Sequence, residues 1–157
     1  MLIEIKHLTK EDLSKFTALI HLFDIVFEEE SKIGSAANSL NLLNNKFFIV
    51  LVALVENEVV GGLTAYELPM YYSNSSEIFL YDLAIKPEYQ RMGIGKRLLQ
   101  SLKEYCLKNG IKEFFVMAHE EDEHAIAFYR ATGGRGERVV NFLYEANQER
   151  YSYKEGP

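Results

Sequence analysis

The stretch FLYDLAIKPEYQRMGIGKRLLQSLKEYC, Phe79 to Cys106, constrains the fold more than any other part of the chain. An apolar run rich in aromatic and branched residues ends at Pro87, which cannot donate to a ladder and so stops a strand. A short loop carrying Gly93 and Gly95 follows. Ile94, Leu98, Leu102 and Cys106 then recur every four residues up to Gly110, the stripe and stop signal of a helix over Gly93 to Lys108. IKEFFVMA supplies a second strand, and two strands joined through a helix in this way lie parallel with a right-handed crossover.

The remaining segments fit around that unit. LIEIKHL reads as a first strand. Thr9 in TKED opens a helix with a capping-box-like start, and Leu13, Phe16, Ile20, Phe23 and Phe27 form its apolar stripe. Glu28 to Glu30 end it, and Ser31 to Asn45 reads as a loop with room for one helical turn. KFFIVLVALVENEVVGGLTAYEL is a hairpin turning at Glu56-Asn57-Glu58. DEHAIAFYRAT is a short helix stopped by Gly133-Gly134, and ERVVNFLYE is expected to close the chain as a strand. The order predicts an α/β (α+β) fold in one domain over residues 1–157: a mixed central β-sheet flanked by helices.

Charge and composition narrow the function. The formal charge of −6 disfavours a sequence-independent grip on nucleic acid or on an anionic membrane, and favours cationic partners. The single cysteine, Cys106, lies in the apolar stripe and reads as a buried structural thiol. The N-terminal MLIEIKHLTKED lacks the regions of a signal peptide, and the longest apolar run is about half a membrane span, so a cytoplasmic protein is expected. His7, His21, His119 and His124 have no metal-ligand spacing, and no metal is expected.

The loop at Gln90-x-x-Gly93-x-Gly95 lies where a strand hands over to a helix. Glycines there admit a ligand close to the backbone, and the free amides and positive dipole end of the helix suit a phosphate. Arg91 and Lys96 add positive charge. A Walker A loop is excluded because Arg97 follows Lys96 where a hydroxyl residue is needed, and a dinucleotide fingerprint lacks its third glycine. A glycine turn that merely starts a helix remains the plain alternative.

LAIKPEYQRMGIGKRLL resembles the acetyl-CoA-binding signature of the GCN5-related N-acetyltransferases (GNAT), and AIAFYRATGG resembles that family's tyrosine-bearing helix. The resemblance implies a splayed parallel strand pair holding acetyl-CoA. Leu83, Ala84 and Ile85 would face the pantetheine arm, and Gln90, Arg91, Met92, Gly93, Ile94, Gly95 and Lys96 would hold the pyrophosphate. Asp122, Ala125 and Phe128 would add coenzyme contacts, and Tyr129 would protonate the departing thiolate. Two departures stand out. Asp122 replaces the family's usual asparagine, and Gly134 replaces the aromatic residue after the first glycine.

Transfer of an acetyl group to an amine needs the neutral amine. A lysine-like amine of pKa ~10.4 is neutral in roughly one molecule in 2,500 at pH 7, a cost of about 4.6 kcal/mol, so a base is useful. Asp82 is the candidate, because a carboxylate inside the apolar strand IFLYDLAI is costly to bury without a purpose or an ion-pair partner. Without the family resemblance, Tyr129 reads as a half-buried helical aromatic.

VVGGLTAYELP, SEIFLYDLAI and AHEEDEHAIAFY together resemble the compact aminoglycoside 3-N-acetyltransferases. That implies a small cationic amine substrate met by Glu28, Glu29, Tyr66, Glu67, Tyr81, His119 and Glu120. The alternatives are a polyamine or peptide acetyltransferase, or a non-catalytic acetyl-CoA-binding domain. VVNFLYE is compatible with a homodimer paired across a two-fold, and equally with a monomer.

Overall fold

The computed structural model describes residues 1–30 and 34–146. Its elements are β1 (Glu4–His7), α1 (Leu13–Phe27), α2 (Ala36–Leu43), β2 (Phe48–Val55), β3 (Glu58–Pro69), β4 (Ser76–Ile85), α3 (Ile94–Lys108), β5 (Phe114–Val116) and α4 (Glu123–Ala131). The strands form one sheet in the order β1-β2-β3-β4-β5. The first four are antiparallel neighbours, whereas β5 runs parallel to β4 after the α3 crossover. This is the mixed, helix-flanked sheet expected from the order of patterns.

Every residue of β2 is buried, so this strand carries apolar side chains on both faces. Ile49, Leu51, Ala53 and Val55 pack with Ile94, Leu98, Leu102 and Cys106 of α3. The alternate residues Phe48, Val50, Val52 and Leu54 pack with Phe16, Leu19, Leu22 and Phe23 of α1. The period-two alternation of the strand thus meets the stripes of two helices, one on each side. Burying each large aliphatic side chain contributes about 1.5–3 kcal/mol. Between β2 and β3 the chain reverses through Glu56 and Asn57 at φ 49° and 68°, the paired positive values of a two-residue type I′ turn.

Asp12 ties β1 to the start of α1. Its carboxylate accepts from Lys6 Nζ at 2.6 Å and from the Thr9 N–H at 2.9 Å. Burial alone would raise the Asp12 carboxyl, but those partners outweigh it and hold it below the ordinary carboxylate range.

Two expectations need correction. The segment after α1 contains a two-turn helix, α2, begun by Ser35, whose hydroxyl accepts from the Asn38 N–H at 3.2 Å; residues 31–33 of that segment lie outside the described residues. Residues 137–145 form no strand among the described residues. Their apolar side chains are highly exposed, with Val139 at 74% and Phe142 at 76%. β5 is also shorter than the pattern IKEFFVMA suggests, because only Phe114–Val116 find partners on β4.

Candidate active site

The site lies where β4 and β5 part. β4 has ten residues, yet its ladder to β5 is confined to Ile78, Phe79 and Leu80. From Tyr81 onward, β4 has no β5 partner among the described residues, which is where a splayed pair would open. Leu83, Ala84 and Ile85 occupy that stretch. On its other edge, β4 carries a bulge: Thr64 pairs with Asp82 and Ala65 with Leu80, leaving Tyr81 as the extra residue. A bulge re-aims the side chains around it, here Tyr81 and Asp82 beside the gap.

The glycine loop begins directly after β4. Gln90 anchors it, donating from Nε2 to the Ile85 carbonyl at 3.0 Å. Arg91 and Gly93 both take positive φ, 61° and 78°. A non-glycine residue held there is strained by about 1–2 kcal/mol, and such strain concentrates at ligand-binding turns. Gly93 caps α3 without any side-chain cap, and no atom lies within 4 Å of where a Cβ would stand on it. The head of α3 thus carries no side-chain cap, and Arg91, Met92 and Lys96 beside it are exposed. That geometry fits a pyrophosphate.

Gly95 and Ile94 do different work. Ile94 is buried in the core. A Cβ on Gly95 would stand 2.9 Å from Phe128 Cζ, so the glycine lets the α4 aromatic pack against the first turn of α3. That contact fixes α4 against the head of α3, and Tyr129 follows Phe128 on that helix. The Tyr129 hydroxyl is pushed up to about 12, by burial first and then by the negative charges of Asp122 and Asp82.

The two departures from the family pattern have local explanations. Asp122 is the N-cap of α4, its Oδ1 accepting from the Ala125 N–H at 3.0 Å; a carboxylate caps as well as an asparagine and suits the positive helix end. Gly133 has φ 99°, and the Gly134 N–H closes the turn on the Tyr129 carbonyl at 2.8 Å.

Asp82 is half-buried, and its carboxyl is pushed up by burial and by the charge of Glu29. The Tyr66 hydroxyl is pushed up by burial, Tyr81 and Asp82. Asp82, Glu29, Tyr66, Tyr81 and Tyr129 therefore share one electrostatic neighbourhood. Glu67 is set apart from it: its carboxylate accepts from Tyr105 OH at 3.3 Å, so it faces α3. Glu28 holds the left-handed end of α1, with φ 54°. His119 and Glu120 are exposed in the loop before α4, and no contact ties them to Asp82. The anchoring role of Gln90 and the packing role of Gly95 were not legible in sequence, because both depend on partners the fold supplies. No cluster of three metal-ligating side chains occurs among the described residues. No helix among them is long and apolar enough to cross a membrane.

Comparison with known proteins agrees with this geometry. An aminoglycoside acetyltransferase from an uncultured soil metagenomic sample, solved with trehalose and with sisomicin, is 42% and 41% identical to this chain in the two structures. In both the TM-score is 0.88, with 91% of this chain and 95% of the other covered. A second soil metagenomic aminoglycoside acetyltransferase is 35% identical with TM-score 0.87, over 92% of this chain and 99% of its own. The thialysine N-epsilon-acetyltransferase of Sus scrofa is 26% identical over 98 residues, covering 58% of each protein, so the match spans little more than half of that relative's length. The model of the acetyltransferase (GNAT) family matches residues 13–133, most of the chain, from α1 through the turn after α4. This chain belongs to the acetyltransferase (GNAT) family.

Proposed function

We propose that the protein is an acetyl-CoA-dependent N-acetyltransferase whose acceptor is a primary amine of an aminoglycoside, the 3-amino group of a deoxystreptamine ring. The observation that carries this reading is the placement of Asp82: a half-buried carboxylate with Glu29 behind it, at a strand bulge beside the splay. Its family membership and its likeness over nine-tenths of its length to an aminoglycoside acetyltransferase support the substrate class.

Bound acetyl-CoA supplies the activated acetyl group as a thioester. The α3 amides, Arg91 and Lys96 hold its pyrophosphate, and the edge of β4 that β5 leaves unpaired at Leu83 and Ile85 guides the arm. Asp82 attracts the substrate ammonium and takes one proton from it, directly or through a water, which frees the lone pair that bonds to the acetyl carbon; the second nitrogen proton passes to solvent as the tetrahedral adduct collapses. The raised affinity of Asp82 for protons brings it nearer to the amine and makes it a better base than an ordinary carboxylate. The C–S bond then breaks and the sulfur leaves with its electron pair. Tyr129, at about 12, stays protonated throughout the working range and donates a hydrogen bond to that sulfur. Full transfer to a thiolate of pKa ~8.5 would be uphill by about 5 kcal/mol, so stabilisation of the thiolate is the larger part of its role.

The test is thiol release from acetyl-CoA with gentamicin, spermidine, free lysine and a lysine peptide. Saturable release with gentamicin, and acetylation at the 3-amino group by NMR, is expected. Release with another amine alone would discard the aminoglycoside, and tight acetyl-CoA binding with no release from any amine would mean a binding domain.

A further inference from the structure

The sheet face that carries Asp82 also bears an unbroken row of aromatic rings across four strands. Phe48 of β2 lies 5.2 Å from Tyr66 of β3 between ring centroids, and Tyr66 lies 5.7 Å from Tyr81 at the β4 bulge. Tyr81 meets Phe79 at 5.5 Å, and Phe79 stacks on Phe115 of β5 at 4.9 Å with the planes 5° apart. Phe48 is buried in the core and Phe79 is half-buried, but Tyr66 is 37%, Phe115 42% and Tyr81 58% exposed. A row meant only to pack would bury those outer rings. Between β3 and β5 it extends over two strand spacings, about 10 Å, which is more than one sugar ring needs.

Charge selects the occupant. Asp82 and Glu29 act on the same end of the row, so an anionic ligand is repelled and a cationic one is drawn in. Aromatic faces bind cationic groups and the C–H faces of saturated rings. Resting on the reading of Asp82 given above, we infer that the row Tyr66–Tyr81–Phe79–Phe115 is a specificity platform. It receives a second, non-reacting ring of a cationic saccharide while the reacting amine sits at Asp82. Tyr81 and Phe115 are its exposed contacts and act in substrate selection rather than in bond making.

The experiment compares kcat/KM for gentamicin, with three rings, and for 2-deoxystreptamine, with one, in the parent enzyme and in Phe115→Leu and Tyr81→Leu. The ratio of the two values is expected to fall about tenfold in each variant. Phe115→Tyr, which keeps the ring, is expected to restore it; a general folding defect would lower both substrates together and leave the ratio in place. A parent enzyme active on gentamicin whose ratio is unchanged in both leucine variants would overturn the platform alone. A parent enzyme that acetylates neither amine would overturn the functional reading and the platform with it.

Discussion

At the scale of single residues, the site combines groups that are held away from their ordinary protonation. Asp82 binds protons more readily in the folded protein than in the unfolded chain, because burial and Glu29 disfavour its charge. Stability therefore falls as pH rises from the ordinary carboxylate range through the raised value of Asp82. Asp82→Asn is expected to leave the thermal midpoint at pH 7 unchanged or higher while lowering kcat/KM by about 10²–10⁴-fold, the usual range for a lost general base. Glu29→Gln is expected to shift the acidic limb of the kcat/KM profile to lower pH, since a negative charge that raises Asp82 has gone. An unmoved limb would assign it to another group. For Tyr129 the expectation is different: Tyr129→Phe should lower kcat by roughly 10²-fold, typical of a lost stabilising donor, with the affinity for acetyl-CoA kept. Equal turnover by the phenylalanine variant would reduce Tyr129 to a packing role.

At the scale of elements, the important junction is between the first turn of α3 and α4. Gly95 and Phe128 touch there, and a methyl group at Gly95 would have to displace the ring or the helix. Gly95→Ala is expected to cost about 1–3 kcal/mol in stability, as overpacking does. It should also lower kcat, because Tyr129 follows Phe128 on the displaced helix. Urea unfolding and single-turnover rates would check the two effects separately, and a stable variant with parental turnover would show that the junction yields freely. The same elements show where sequence patterns carry information. The α1 and α3 stripes and the β2 alternation were readable because each element buries a regular face. α2 was not, since it is only about two turns long, too short to show a repeating stripe, and its cap at Ser35 is an isolated signal.

At the scale of the whole molecule, a bulge on one edge of β4 and a premature end of the ladder on the other interrupt an otherwise ordinary mixed sheet. A ligand that binds only the folded chain must stabilise the entire domain. Acetyl-CoA at a hundred times its Kd is expected to add about 2.7 kcal/mol, read as a rise in thermal midpoint. Gly93→Ala, which forces a side chain into the left-handed conformation at the head of α3, should reduce that rise at fixed acetyl-CoA; an undiminished rise would place the pyrophosphate elsewhere.

Local patterns alone determined the order of strands and helices through α4 apart from α2, the crossover unit, the glycine loop and the oddity of a carboxylate in an apolar strand. Each is a property of neighbours in the chain, where periodicity, proline and glycine act directly. The pleat sends Tyr66 and Glu67 to opposite faces, but only the tertiary structure decided that Glu67 meets Tyr105 on one side while Tyr66 meets Tyr81 on the other. It alone decided that Gln90 braces the loop and that residues 137–145 form no strand among those described. These outcomes depend on contacts between residues far apart in the chain, and no local pattern encodes which distant partner a side chain or a strand edge will meet.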